Sequence, residues 1–130
     1  MLSIGIKAQT SDEVVQQFFT ALNAKDTETL DRLALDNMQL HSLTVNDSII
    51  LNASSKEKFL ENFKSIPKEV VIEERIYDIT SLKSDYLAQY KVPYSFYVNG
   101  ELSHSGINVL SLIKTNDKWL ISYIADTRKR

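Results

Sequence analysis

The feature that most constrains the fold is the C-terminal run from Gly106 to Thr127, GINVLSLIKTNDKWLISYIADT. Apolar and polar residues alternate along much of it, on both sides of Asn116-Asp117. This alternation is typical of strands, because successive side chains point to opposite faces of a sheet. Asparagine and aspartate tolerate the positive φ that a two-residue turn requires. The run therefore predicts two long strands joined in a hairpin.

The same kind of pattern extends upstream as far as Pro67. Strands are predicted over residues 69–80, 86–98, 102–115 and 118–127, with short connections between them. Asn99-Gly100, between two of these runs, is the strongest short hairpin signal. Consecutive hairpins of this kind predict an antiparallel meander.

The N-terminal half favours helices. Residues 10–13 match a capping box, and apolar residues then recur at helical spacing over 14–22. A second, shorter helix is predicted over 26–34. A short strand over about 36–43 and a third helix follow, the helix starting with a capping box at Ser54 and ending at Pro67.

Composition narrows the function. A chain of 130 residues has the usual size of one domain, and we assign it to residues 11–130 after an extension over 1–10. The formal net charge of -2 argues against a nucleic-acid partner, which needs a clustered basic face. No apolar run reaches the roughly 20 residues of a membrane span. The absence of cysteine and the presence of only two histidines predict no metal site and no cofactor.

The first nine residues leave the compartment open. As encoded, the chain is predicted to be cytoplasmic, because Met1–Gln9 lacks the basic start and long apolar stretch of an export signal. The alternative is that Met1–Gln9 is the end of such a signal and that the protein is exported or periplasmic.

The two turns assign side chains to the faces of the sheet. Two-residue turns predict that Tyr94 lies opposite Ser105 and Ser111 opposite Ser122. One face then carries Tyr90, Val92, Tyr94, Phe96, Ser105, Ile107, Val109, Ser111, Leu120, Ile124 and Asp126. The other carries Lys91, Ser95, His104, Asn108, Leu110, Leu112, Trp119, Ile121 and Tyr123. A one-residue bulge would exchange part of these two sets.

Both faces are substantially apolar, and helices cover only one of them. The uncovered face is therefore predicted to meet a partner, most simply a second copy of the chain. A homodimer through the outer sheet face is the resulting expectation.

Two segments, VVQQFFTALNAKDTETLDRLA and DKWLISYIADT, resemble the nuclear transport factor 2-like superfamily, which includes SnoaL-like cyclases and ketosteroid isomerases. The resemblance covers about residues 11–127. It implies an α+β, cystatin-like fold in which three N-terminal helices pack on a curved, mainly antiparallel sheet and form a cone with one open end. It also implies dimerisation through the outer face of the sheet.

The ketosteroid isomerase pattern places Phe18, Ser42 and Ser111 where those enzymes have a phenolic donor, a carboxylate base and a protonated acid. Enolisation needs a base and donors for the developing oxyanion, which these three side chains do not supply. The resemblance therefore implies no isomerase activity. It also implies that Ser111 and Ile124 face the cavity.

A small apolar ligand is expected to contact the inner face and the helices that cover it. The predicted ligand-binding residues are Phe18, Leu22, Met38, Ser42, Phe63, Tyr90, Tyr94, Ser105, Ser111, Ile124 and Asp126. Asp126 is the one candidate for catalysis, as a base or a ligand anchor. The alternative is a solvated carboxylate paired with Arg128. By alternation His41 and His104 point away from the inner face, unless the register slips.

Three functions follow from these observations. The first is a non-catalytic domain that binds a small molecule in an apolar, cone-shaped pocket. The second is a SnoaL-like cyclase, isomerase or hydratase that uses Asp126 with a nearby tyrosine or histidine. The third is a protein-interaction module that uses the outer sheet face.

Overall fold

The computed structural model describes residues 9–130. Its helices are α1 (Ser11–Asn23), α2 (Thr27–Arg32) and α3 (Lys56–Lys64). Its strands are β1 (Ala34–Val45), β2 (Ile49–Ser55), β3 (Ile72–Ile76), β4 (Thr80–Lys83), β5 (Leu87–Val98), β6 (Glu101–Thr115) and β7 (Lys118–Arg128). The predicted export-signal remnant falls almost wholly on residues 1–8, which lie outside the described residues.

The strands form one curved sheet in the order β2-β1-β7-β6-β5-β3, and β4 pairs with the other half of the β5 edge. The β1–β7 pair is parallel and the other pairs are antiparallel. The helices cover one face of this sheet and enclose the main core with it. The predicted α+β class, with three helices on a curved and mainly antiparallel sheet, is confirmed.

One helix cap and two turns form as the sequence predicts. Thr10 and Glu13 form both halves of a capping box at the start of α1. Asn116 and Asp117 have φ values of 49° and 60°, as a two-residue turn with positive φ requires. Asn99 and Gly100 have φ values of 50° and 82° in the preceding hairpin. The strand ends near both turns are therefore set by local sequence.

Three elements differ from the prediction. β2 was missed, because its seven residues, IILNASS, do not alternate and pair along the exposed edge beside β1. The strand predicted over 69–80 is broken at Asp78, whose φ of 48° ends β3 and redirects the chain into β4. The cap of α3 is Ser55 rather than Ser54, since the Ser55 hydroxyl accepts from the Lys58 amide.

Two one-residue bulges overturn part of the predicted face assignment. Ser103 is the extra residue in β6, between the pairs Tyr97–Leu102 and Phe96–His104. Beyond it Tyr94 lies opposite Gly106, not Ser105. A bulge exchanges the faces of the residues that follow it, because the side-chain period of a strand is two.

Ser122 is the corresponding extra residue in β7. Before this bulge Ile121 points into the core with no exposure, and after it Ile124 and Asp126 point inward. The prediction that Ser105, Ile107, Val109, Ser111 and Leu120 face inward is therefore wrong. The inner face instead carries His104, Asn108, Leu110, Leu112, Trp119 and Ile121, all predicted to lie outside.

A buried lysine fixes α3 over the sheet. Lys56 Nζ lies 2.8 Å from an Asp31 carboxylate oxygen and donates to the Ala34 carbonyl oxygen at 3.0 Å. It also lies 3.4 Å from the Asp36 carboxylate. These contacts join the start of α3 to α2 and β1, and so position the aromatic residues that α3 presents to the interior.

Candidate functional site: a cavity inside the cone

A cavity of about 250 Å³ lies between α1, α3 and the concave face of the sheet. This volume is just below the roughly 300–1,000 Å³ of sites for drug-sized ligands. Its walls are formed by Phe18, Phe19, Leu22, Leu40, His41, Ser42, Phe59, Asn62, Phe63, Glu74, Tyr94, Phe96, His104, Asn108, Leu110, Ile124, Asp126 and Arg128. One side of the wall is aromatic and the other carries charged and amide groups.

The helices supply the aromatic side. The Phe18 ring from α1 stacks on Phe59 from α3, with 6.2 Å between ring centroids. Phe59 and Phe63, one helical turn apart, have centroids 5.0 Å apart. Such a surface offers contact area for an apolar ligand at little conformational cost, because each ring has few rotatable bonds.

Glu74 is the buried carboxyl of the opposite side. In β3 it lies two residues from both Ile72 and Ile76, so its side chain shares their inner face, and the residue is 8% exposed. Asn23 of α1 holds its backbone, accepting from the Glu74 amide at 2.7 Å and donating to its carbonyl at 3.1 Å. Burial, with a smaller contribution from the charge of Asp126, raises the pKa of Glu74 to about 7.

Asp126 lies close by on β7, directly opposite Asn108 of β6. Its Oδ2 is 3.4 Å from the Arg128 guanidinium, which is half exposed at the edge of the cavity. Its Oδ1 is buried and accepts no hydrogen bond from any of residues 9–130. An unsatisfied buried acceptor carries a desolvation cost of roughly 1–3 kcal/mol, which a donor from a bound molecule would remove.

His104 completes this polar end of the cavity, which we define as Glu74, Asn108, Asp126 and His104. Its ring stacks on Phe96 at 5.0 Å and meets Tyr94 edge to face at 5.7 Å. Burial, and then the nearby positive charge of Arg128, lower the pKa of His104. At neutral pH its imidazole is therefore mainly uncharged and presents one donor and one acceptor.

Tyr94 contributes its ring rather than a free hydroxyl. The hydroxyl donates to the Thr127 carbonyl oxygen at 2.7 Å and so joins β5 to the end of β7. Burial raises the pKa of Tyr94 above the usual range of tyrosine. Its hydroxyl therefore stays protonated, with its hydrogen committed to the backbone.

Seven of the predicted ligand-binding residues line this cavity: Phe18, Leu22, Ser42, Phe63, Tyr94, Ile124 and Asp126. The other four predicted residues do not line it. Met38 is fully packed in the core, and Ser105 and Ser111 point to the outer face. Tyr90 donates to Asp12 at 2.6 Å and lies 2.6 Å from the Ser11 hydroxyl, so it fastens the start of α1 to the sheet.

The two histidines have separate environments. His104 lies inside, contrary to the prediction, because the Ser103 bulge turns it inward. His41 is one of the residues that border the cavity, but its Nδ1 lies 2.9 Å from the hydroxyl of Tyr123, a residue of the outer face. The two rings therefore do not form a histidine pair.

Sequence reasoning missed Glu74, assigned Asn108 to the outer face, and placed His104 inside only if the register slips. The sequence contained a signal for Glu74, because its two-residue spacing from Ile72 and Ile76 puts all three side chains on the face that α1 covers. Asn108 likewise shares a face with Leu110, two residues away, and both were assigned to the outer face. The chemistry of these residues became visible only once the register was known.

The polar end can accept hydrogen bonds and can hold or release a proton at Glu74. Within residues 9–130, no three or more histidine, aspartate or glutamate side chains converge as a metal site would require. No helix in this part of the chain is long and apolar enough to cross a membrane.

Comparison with known proteins supports the fold and leaves the activity open. A family model described as a domain of unknown function (DUF4829) matches residues 12–124. No curated protein matches the chain significantly. Among solved structures, a nuclear transport factor 2-like protein from Cytophaga hutchinsonii superposes with a TM-score of 0.73 at 12% identity, covering 92% of this chain and 99% of its own.

Two further structures show the same architecture. A protein of unknown function with a cystatin-like fold from Nostoc punctiforme has a TM-score of 0.68 at 12% identity, over 94% of this chain and 95% of its own. A dehydratase candidate of the nuclear transport factor 2-like family from Streptomyces avermitilis has a TM-score of 0.67 at 15% identity, over 88% and 90%. At these identities the likeness shows the fold alone, which is nuclear transport factor 2-like.

Proposed function

We propose that this chain, which belongs to the DUF4829 family of domains of unknown function, binds a small, mostly apolar molecule in its cone. The molecule lies against the aromatic side formed by Phe18, Phe59 and Phe63, and the polar end orients it. This role is binding rather than chemistry, and it agrees with the expectation from the sequence.

One observation carries the proposal. A cavity of about 250 Å³ lies between an aromatic wall and a buried carboxyl. Buried carboxyls and an unpartnered Asp126 Oδ1 are costly to keep in such a place. A bound molecule offsets that cost, and its apolar part gains roughly 25 cal/mol for each Å² that it removes from water.

Methyl-labelled NMR tests the proposal with a mixture of small aromatic fragments as the probe. Binding in the cone is expected to shift the methyl signals of Leu22, Leu40 and Ile124, which line the cavity. The signals of Leu82 and Leu87, which are exposed on the other side of the sheet, serve as internal controls. Fragments that shift no cavity methyl, or only the outer ones, would contradict a ligand site in the cone.

A cavity-blocking variant sharpens this test. Leu40→Trp adds a large ring to the cavity wall and is expected to abolish the shifts, whereas Leu82→Trp adds the same ring on the surface. Equal fragment binding by the two variants would contradict the proposed location.

A second function, acid–base catalysis of the SnoaL-like kind, is favoured by a single observation. The pKa of Glu74 is raised to about 7, and a general acid or base is most effective when its pKa lies near the working pH. Glu74, rather than Asp126 with a tyrosine or histidine, then handles the proton. Deuterium exchange into 2-tetralone, a small ketone with acidic C–H bonds, tests this function. Acceleration by the native chain but not by Glu74→Gln supports it, and no acceleration contradicts it.

The outer sheet face supports the proposed homodimer. Leu82, Leu87 and Ile107 are exposed there, at 76%, 61% and 37%. They extend over β4, β5 and β6, on the side of the sheet away from the helices. A two-fold axis would place the same apolar patch of a second copy against it, which is the commonest way for such a face to be covered.

A further inference from the structure

We propose that the molecule held in the cone is a small monocationic amine, whose ammonium group lies between the carboxyl groups of Glu74 and Asp126 and whose apolar body lies against the phenylalanines. This inference rests on the proposed function, because it names the chemical class of the ligand for the same cavity.

The hydrogen-bond accounting favours a ligand that brings donors. Asn108 Nδ2 reaches Glu74 Oε1 at 3.4 Å, a long contact that leaves this carboxyl weakly satisfied. Asp126 Oδ1 is buried, and no group in the described part of the chain donates to it. A primary ammonium brings three donors and no acceptor, a hydroxyl brings one of each, and a carboxylate brings acceptors only. The ammonium therefore satisfies both carboxyls with one group.

The charges around Glu74 point in the same direction. The ionisable groups that face it are Asp126 and Arg128 of β7, the largely uncharged His104 of β6 and the protonated Tyr94 of β5. Arg128 lies at the edge of the cavity and contacts only the Oδ2 side of Asp126. Among the described residues no cation pairs with the Glu74 carboxyl. A positive charge on the ligand would therefore stabilise its ionised form.

The body of the cavity suits an arylalkylamine. A volume of about 250 Å³ accommodates one aromatic ring and a short chain. The Phe18, Phe59 and Phe96 rings border it, and aromatic faces attract cations as well as apolar surface. 2-Phenylethylamine has this shape, and 2-phenylethanol and 3-phenylpropanoate keep the phenyl ring while changing the head group.

Amine binding also has a proton signature. A cation beside Glu74 favours its ionised form and lowers its pKa. Because the free carboxyl titrates near pH 7, binding of the ammonium at that pH releases on the order of half a proton. The neutral alcohol releases essentially none, and the carboxylate would cause uptake of a similar fraction of a proton.

Isothermal titration calorimetry of the full chain at pH 7 with these three compounds, in buffers of different ionisation enthalpy, measures affinity and proton release together. The amine is expected to bind most tightly and to release a proton fraction. Glu74→Gln keeps the size of the side chain and is expected to weaken amine binding roughly tenfold or more, since a charge-assisted hydrogen bond is lost. It should also abolish the proton release.

Glu73→Gln is the matched control, because Glu73 is the neighbouring carboxylate, half exposed and paired with Arg75 outside the cavity. It should bind the amine as the native chain does. If Glu74→Gln does not fold, Asp126→Asn removes the charge of the second carboxyl instead. It is also expected to weaken amine binding.

If the alcohol or the carboxylate binds as tightly as the amine or more tightly, the amine proposal is overturned, but the cavity is still a ligand site. Amine binding that is equally tight in Glu74→Gln, or that occurs without proton release, would also overturn it. If none of the three compounds binds, the amine proposal fails, and the methyl shifts with the fragment mixture decide separately whether the cone binds ligands.

Discussion

The side-chain amide of Asn108 donates to the carboxyl of Glu74 at 3.4 Å inside the cone. The contact joins β6 to β3 across the intervening β5, in a place where both residues are nearly fully buried. It is the side-chain hydrogen bond that moderates the raised pKa of Glu74. The hydrogen bond between these two residues therefore helps to set the charge of Glu74 in the cavity.

Replacing Glu74 by glutamine should remove a pH-dependent cost to stability. The pKa of Glu74 rises from 4.5 in the unfolded chain to about 7 in the folded one. The folded state therefore binds more protons between these values, and the free energy of unfolding falls as pH rises through them. The loss attributable to Glu74 is on the order of 3 kcal/mol above pH 7.

Urea unfolding of both proteins between pH 4 and pH 8 measures this effect. The difference in stability between Glu74→Gln and the native chain should grow in favour of the variant as pH rises. Titrating groups that do not interact with Glu74 cancel in that difference. A difference that does not change with pH would contradict the burial of an ionisable carboxyl at this position.

Replacing Asn108 by alanine should raise the pKa of Glu74 further. The amide lowers that pKa by donating to the carboxyl, so its removal leaves burial and the charge of Asp126 unopposed. Above pH 7 the ionised carboxyl then lacks its donor, at a cost of roughly 1–3 kcal/mol. A carboxyl-carbon NMR titration of the variant checks the direction, and a lower or unchanged midpoint would count against this hydrogen bond.

Gly106→Ala should destabilise the fold through a steric clash. A Cβ at this position would lie 1.9 Å from the Thr127 carbonyl oxygen, a backbone atom that also accepts from Tyr94. Overpacking of this kind costs roughly 1–3 kcal/mol and sometimes more, and we expect the upper end or beyond.

Gly100→Ala provides the comparison for that variant. Among the described residues, no atom beyond its chain neighbours lies within 4 Å of a Cβ at Gly100, and the φ of +82° gives a conformational penalty alone. That penalty is on the order of 1 kcal/mol. Denaturant unfolding that ranks Gly100→Ala as the more damaging change would contradict the close approach of β6 and β7.

Local signals in the sequence were enough to predict the fold class. The capping box at Thr10 and the turns at Asn99-Gly100 and Asn116-Asp117 depend on a few adjacent residues, and all three form as expected. Each one ends or begins an element, so together they determined the order of most helices and strands.

The cavity was harder to predict, because it depends on register. Ser103 and Ser122 each add one residue to a strand, and no sequence pattern marks either as a bulge. Each bulge exchanges the faces beyond it. Ile124 and Asp126 were placed correctly, whereas Ser111 was placed inside and Asn108 outside, which is the reverse of the structure.

The proposed homodimer predicts a charge-sensitive outer face. Leu87→Lys places a charge in the exposed apolar patch of β4, β5 and β6, and should shift the chain from dimer to monomer in light scattering. Leu102→Lys is the control, because Leu102 is similarly exposed, at 60%, but lies at the turn end of β6. A native chain that is already monomeric would contradict the dimer.

The most direct test of the central claim is the carboxyl-carbon NMR titration of Glu74, with its signal assigned by its loss in Glu74→Gln. The claim is that the ligand site is built around a buried carboxyl that is half protonated at neutral pH. It predicts a midpoint near pH 7 in the free protein and a lower midpoint with saturating 2-phenylethylamine. A midpoint near 4.5, the ordinary value of glutamate, that does not move with the amine would contradict it.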